Sequence, residues 1–332
     1  MKKMTWTMMT AGAVLLTACV GAEEENSTAA EAESPAENTE AGSDGAENEE
    51  ENSGTITVEH DLGTTDVPKE PETIVVFDYG VLDTLDTFGV EPAAVPQGNI
   101  PAYLSEYEGE AYENAGTLFE PDFEAIYDME PDLILIGGRT GEAYEELSEI
   151  APTVLMSVDA ADYIASFEEQ TTLLGDIFGE EEAAEEAVAS VQDGLDELTE
   201  EAPEGEGLMV MANEGSISAY GPGSRFGILH NEMEIAAADD TIEDSNHGQN
   251  VSFEYVLETN PDYLFVLDRG AVVSEGEGET AAELLDNELI HQTNAHQEDH
   301  IVYLTPDYWY LAAGGVTSVQ EMIKEVKEGI AE

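Results

Sequence analysis

Phe123-Glu124-Ala125-Ile126-Tyr127-Asp128-Met129-Glu130-Pro131-Asp132-Leu133-Ile134-Leu135-Ile136-Gly137-Gly138-Arg139 returns as Phe253-Glu254-Tyr255-Val256-Leu257-Glu258-Thr259-Asn260-Pro261-Asp262-Tyr263-Leu264-Phe265-Val266-Leu267-Asp268-Arg269. Phe, Glu, Pro, Asp and Arg recur in register at a constant offset of 130 residues. Each copy reads as a short helix, a Pro-Asp break and a continuous apolar run, then an arginine. Apolar runs of this length, bounded by turn residues, fit strands buried on both faces of a parallel sheet. Each arginine then stands just past the carboxyl end of a strand, where open α/β sheets bind ligands. Two copies at half-chain spacing predict two similar lobes, since a solenoid needs more repeats of shorter period.

Working outward, further strands are expected at Thr73 to Phe77, Val154 to Val158, Leu208 to Ala212 and Ile301 to Leu304. Asp162 to Glu201 reads as helix, with Ile164, Phe167, Leu174 and Ile177, then Val188, Val191, Leu195 and Leu198, at spacings of three and four. Gly179 divides it, and the longer piece from Glu180 bridges the lobes. A last helix runs from Val316 to Ile330, with Lys324 and Lys327 near its C-terminus, where the helix dipole favours cations. The fold class is α/β, with the plan 1–18 signal peptide, 19–54 lipidated cysteine and acidic tether, 55–160 N-terminal lobe, 161–203 helical linker and 204–332 C-terminal lobe.

The start of the chain places Lys2 and Lys3 before a short apolar stretch that ends in Leu16-Thr17-Ala18-Cys19. This is the pattern of a secretion signal, too short for a permanent membrane span, with small residues before a cysteine as in a lipobox. Cys19 is the sole cysteine, so lipidation there would leave neither disulfide nor free thiol. The expected location is outside the cell, anchored to the outer face of the membrane through that lipid. Gly21 to Gly54 has no aromatic, no aliphatic beyond Ala and no base, so it cannot form a core. As a flexible tether it would reach roughly 30 Å.

With 76 Asp and Glu against 8 Lys and Arg, the formal charge is −68. A nucleic-acid partner is excluded on that ground, and a saline or alkaline habitat is expected. Beyond the leader the bases are Lys69, Arg139, Arg225, Arg269, Lys324 and Lys327, where an average domain of this size carries roughly 30. Lys69 sits in a Pro-flanked turn and the two late lysines serve a helix end. The three arginines lie in Gly-rich turns: Gly137-Gly138-Arg139, Gly221-Pro222-Gly223-Ser224-Arg225-Phe226-Gly227 and Arg269-Gly270. Guanidinium groups in such loops point to an anion-binding cleft, because the planar fork donates to paired oxygens and stays charged at high pH. Pairing with the abundant carboxylates is the other reading. At molar salt the screening length is about 3 Å, so an anion would feel the arginines it touches more than the distant acidic surface.

Several segments together resemble the siderophore-binding lipoproteins of ABC importers, in particular the branch that takes ferric catecholate and mixed catecholate-citrate siderophores. They are Val76 to Leu85, Gly116 to Pro121, Tyr220 to Gly227, His247-Gly248-Gln249, Asp268-Arg269-Gly270 and Tyr308-Trp309-Tyr310. The resemblance runs from about Thr55 to the end. It implies two Rossmann-like lobes joined by a single long α-helix, with the ligand between them and no intrinsic cofactor. It implies ligand binding by Arg139, Arg225, Arg269, Tyr308, Trp309 and His247, with His247 and Tyr308 completing the iron shell where a siderophore leaves sites open. Glu124 and Glu254, one per lobe, would dock on the permease, whose ATPase is the further partner. The binding protein itself would be a monomer and not an enzyme.

Haem, cobalamin or another metal chelate are the nearest alternative ligands. A zinc site from His291, His296 and His300 fits one helical face poorly at spacings of five and four. An extracellular hydrolase is a rival of another class, but Ser224 does not lie in Gly-x-Ser-x-Gly, and neither a phosphate loop nor His-Glu-x-x-His is present.

Overall fold

The computed structural model describes residues 54–200, 205–242, 245, 247–273 and 278–331. The signal segment, Cys19, the tether as far as residue 53 and residues 201–203 of the expected linker lie outside the described residues. An antiparallel hairpin, β1 (Thr55–His60) with β2 (Gly63–Pro68), buries Val58 and Val67. It is tied on by Thr65 Oγ1, which donates to the Thr153 carbonyl at 2.8 Å.

The first sheet contains β3 (Ile74–Phe77), β4 (Ala94–Val95), β5 (Glu113–Asn114), β6 (Leu133–Ile136) and β7 (Thr153–Leu155). Its order is β5-β4-β3-β6-β7 and all pairs are parallel. Alternate residues face opposite sides: Val76, Leu133 and Leu135 enter one apolar cluster, Val75, Ile134 and Ile136 another. Burial on both faces is why these strands read as unbroken apolar runs. The strand order reverses between β3 and β6, so the carboxyl ends of those two strands frame the switch point where such sheets bind ligands.

The second sheet contains β8 (Glu206–Asn213), β9 (Ser216–Tyr220), β10 (Ala236–Ala237), β11 (Gln249–Val251), β12 (Tyr263–Asp268) and β13 (Ile301–Leu304). The order is β11-β9-β8-β12-β13, with β10 beside β8. Strands β8, β12 and β13 are parallel, but β9 runs antiparallel to both β8 and β11.

The longer helices are α1 (Tyr79–Phe88), α2 (Phe123–Met129), α3 (Tyr163–Phe178), α4 (Glu181–Glu200), α5 (Phe253–Thr259) and α6 (Val316–Ala331). Gly179, at φ 71°, ends α3 in the left-handed conformation that favours glycine, so the division falls where expected. The second, 20-residue helix α4 leads from the first half to the second. The fold is thus two α/β lobes joined by a long helix. None of the described helices is long and apolar enough to cross a membrane.

The sequence repeat is a structural repeat. Helices α2 and α5 have equal length and end at Glu130 and Asn260, both left-handed at φ 49° and 48°. The next aspartates then latch the start of the neighbouring strand. Asp132 Oδ2 accepts from the Glu72 and Thr73 amides at 3.0 and 2.8 Å. Asp262 Oδ2 accepts from the Glu206 amide at 3.1 Å, and its Oδ1 accepts from Asn294. Pro-Asp is therefore a device that sets strand register in each half.

Two expectations need adjustment. The ladder of the strand expected over Val154 to Val158 stops at Leu155, because the chain turns away to line a cleft at Ser157 to Ala160. After β13 the chain also leaves the second sheet. Helix α6 packs against α4 and against α1 of the first half.

Candidate ligand-binding cleft

A cleft of about 970 Å³ opens at the switch point of the first sheet and is walled on the other side by residues of the second half. Asp78, directly after β3, and Arg139, just after β6, line it, together with Arg225, His247 and Tyr310. Asp78 caps α1, accepting from the Gly80 and Val81 amides at 2.9 and 3.1 Å. Burial pushes its carboxyl up, against the pull of Arg139 and the two amides. Gly137 is required here by contact, since a Cβ would stand 2.0 Å from Asp78 Oδ2.

The three arginines converge on one side chain. Their guanidinium carbons lie 5.3 Å (Arg139), 4.8 Å (Arg225) and 5.6 Å (Arg269) from the centroid of the Tyr310 ring. Arg139 donates to the Tyr310 and Leu311 carbonyls at 2.5 and 3.3 Å, and Arg225 donates to the Tyr310 carbonyl at 3.5 Å. Arg269 Nε donates to the Tyr310 hydroxyl at 2.9 Å, while its Nη1 donates to Asn213 Oδ1 at 2.9 Å. Among the described residues no carboxylate lies within ion-pair distance of any of them. Among the described residues, the carboxylate nearest in influence is Asp78, which feels the charge of Arg139 without an ion pair.

The electrostatics follow. Burial and the neighbouring charge of Arg139 hold Arg225 below its ordinary pKa. Burial alone would raise the Tyr310 phenol, but the Arg269 hydrogen bond and the three positive charges outweigh it and hold the phenol below its ordinary value. The arrangement gathers three guanidinium groups at the cleft and favours a phenolate on Tyr310, whose oxygen is bonded by Arg269 while Arg139 and Arg225 bond its backbone carbonyl. Tyr163, buried beside Arg225 and close to the Gly314 backbone, also lines the cleft.

Residues 74–308 match the periplasmic binding protein family. The chain belongs to that family. It is 43% identical to the petrobactin-binding protein YclQ of Bacillus subtilis, over 83% of this chain and 88% of the relative. It is 33% identical to the ferric-anguibactin-binding protein FatB of Vibrio anguillarum, over 82% and 87%. The crystal structure of YclQ superposes with a TM-score of 0.81, covering 84% of this chain and 99% of that one. The catecholate-siderophore binding protein VctP of Vibrio cholerae gives 0.79 at 37% identity, covering 82% and 99%.

Within this periplasmic binding protein, the expected site residues separate into two groups. Arg139, Arg225 and His247 line the cleft, and Arg269 reaches it through Tyr310. His247 is exposed, its amide donating to Ser245 Oγ at 3.2 Å. Trp309 is not at the cleft: it is fully buried, and its indole N–H donates to Glu325 at 2.9 Å. Tyr308 turns the other way and packs on Tyr103 with ring centroids 5.1 Å apart. Residues 307–311 form a helical turn, in which side chains two apart point to different sides, so only one of the two tyrosines faces the cleft. It is Tyr310, which the sequence reading quoted but did not single out.

The strand-end argument covers Arg139 and Arg269 but not Arg225. Because β9 is antiparallel, its last residue Tyr220 pairs with Met209 near the start of β8, and Arg225 arrives by the Gly221–Gly227 loop. That loop is closed by Ser224, buried with Oγ donating to the Gly221 carbonyl at 2.7 Å, so this serine is unsuited as a nucleophile. His291 and His296 stack at 4.4 Å while His300 bonds the Asp262 carbonyl, and the described residues contain no cluster of metal-ligating side chains. Glu124 and Glu254 are both exposed at the first turns of α2 and α5.

Proposed function

We propose that this protein captures an anionic ferric siderophore of the catecholate or catecholate-citrate class and delivers it to the permease and ATPase of an ABC importer. One observation carries the reading: in a chain of charge −68, three arginines that form no ion pair among the described residues gather round a single tyrosine in the cleft. Desolvated like charges repel, so the site is completed by a ligand of negative charge. The names of its relatives support the ligand class. Arg139, Arg225 and Arg269 would hold the anionic complex. His247 and Tyr310 would serve iron where the siderophore leaves positions open, phenolate being a donor that iron accepts. Tyr308, Trp309 and any part they have in binding would act through the Tyr310 turn.

The rest of the reading is as follows. Cys19 carries the lipid that holds the protein at the outer face of the membrane. Glu124 and Glu254 dock on the permease, a role supported by their equivalent exposure in the two halves and by exposed Phe119 and Tyr127 flanking Glu124. The acidic surface suits a saline or alkaline setting.

The test is fluorescence titration in molar salt with ferric petrobactin, a ferric tris-catecholate and haem. Saturable quenching by a ferric siderophore, weakened by about tenfold or more in Arg225→Ala, is expected, since a charge-assisted contact contributes about 1.5–3 kcal/mol. An unchanged affinity in that variant, or saturation by haem alone, overturns the ligand assignment.

A further inference from the structure

Asp83 is the one charged side chain that is fully buried among the described residues. It sits in the middle of α1, far from solvent and outside the cleft lining. Two of its three partners come from the other end of the chain. Oδ1 accepts from the Thr317 amide at 3.1 Å, and Oδ2 from the Ser318 amide at 2.8 Å and the Tyr103 hydroxyl at 3.0 Å. Thr317 and Ser318 open α6, whose first amides have no partner within the helix, so a carboxylate from a different helix satisfies them and meets the positive end of the helix dipole.

The clasp is extended to the ligand-facing turn. Ser318 Oγ donates to the Ala312 and Gly315 carbonyls at 2.6 and 3.0 Å, closing the segment that follows Tyr310. Two glycines permit the approach. A Cβ on Gly315 would stand 2.3 Å from Asp83 Oδ2, and one on Gly80 would stand 2.8 Å from the Ala313 carbonyl. Asp307 adds an outer tie, accepting from the Ala102 amide at 3.3 Å. The segment 307–318 follows the last strand of the second sheet yet is strapped to the first half, while Arg269 of the second half holds its tyrosine.

We infer that Asp83 is a positioning residue: its buried carboxylate pins the start of α6 to α1, so that Tyr310 and the three arginines are held in register across the two halves before any ligand arrives. This rests on the anionic-cleft reading for what Tyr310 does, though not for where it is held. A buried carboxylate is costly unless its bonds are complete, and here the bonds span the joint between the halves. An apolar residue in its place would leave the two α6 amides unsatisfied and the turn free to shift.

The test combines a distance and an affinity. Nitroxide labels at exposed Glu145 and Glu258, one in each half, are introduced as cysteines with Cys19→Ser, and their separation is measured by pulsed electron paramagnetic resonance without ligand. The parent should give one narrow distribution. Asp83→Ala should broaden it and weaken the ferric tris-catecholate complex by roughly tenfold or more. Val326→Ala, which opens a cavity in the buried face of α6 away from the clasp, should lower the melting temperature while leaving the distribution narrow. If Asp83→Ala does not fold, Ser318→Ala cuts the tie to Ala312 and is read in the same two ways. A narrow distribution in the clasp variant, or a broad one with unchanged affinity, or equal broadening in Val326→Ala, overturns the proposal. A parent that binds no ferric catecholate fails the anionic-cleft reading instead, and the ligand-free distances then decide the clasp.

Discussion

Tyr310 and Trp309 are neighbours with opposite environments, and each gives a prediction. At Tyr310 three positive charges outweigh burial, whereas at Tyr220 and Tyr255 burial wins. Burial pushes Tyr220 and Tyr255 up to about 12. In an alkaline titration followed at the tyrosinate absorbance, one tyrosine should therefore ionise below the ordinary range, and Tyr310→Phe should remove that step. The linked stability has a definite sign. Between the lowered Tyr310 value and the ordinary one near 10, the unfolded chain keeps a proton that the folded protein has lost, so this group adds stability as pH rises through that window. The contribution disappears as pH falls below the lowered value. Trp309 acts through packing. Trp309→Ala should lower the unfolding free energy by about 3–5 kcal/mol in a denaturant titration, as expected for emptying a buried aromatic site.

Helices α2 and α5 with their Pro-Asp latches act as matched elements. Asp132→Ala and Asp262→Ala each remove side-chain acceptors from a strand start, at about 0.5–1.5 kcal/mol per bond. They belong to different sheets and share no partner, so the double variant should lose the sum within about 0.5 kcal/mol. A clear excess in equilibrium unfolding would mean that the two latches are energetically coupled across the halves. At this scale the repeat was legible in full, because Pro, Asp and a buried apolar strand each have local requirements that leave a mark on the sequence. Strand β9 was not among the expected strands, although its pairing with β8 is local: the turn Glu214-Gly215, at φ 48° and 76°, joins the two as a hairpin.

For the whole molecule the acidic surface dominates. Only Lys324 and Lys327 make lysine ion pairs, with Glu321 and Glu197 at 2.8 and 3.0 Å, among the described residues. With a formal charge of −68, self-repulsion opposes the compact state, and raising salt from about 0.1 M to 1 M shortens the screening length from about 10 to 3 Å. The melting temperature should rise over that range in differential scanning calorimetry, and the association rate of an anionic ferric complex should rise with it. A flat response of both would show that the carboxylates are neutralised in some other way.

The sequence by itself determined the two-lobed α/β architecture, the division of the linking helices at Gly179 and the loops in which the three arginines stand. These rest on periodicity, breakers and charge depletion, which act over a few residues or over the composition as a whole. Only the tertiary structure decided that the arginines meet at Tyr310, that Trp309 belongs to the core, and that Asp83 joins α1 to α6. Adjacent residues in a helical turn face different surroundings, and a buried charge finds its partners wherever the folded chain brings unsatisfied amides. Those contacts span 234 and 235 residues for Asp83 and 41 for Arg269, separations across which local pattern carries no information.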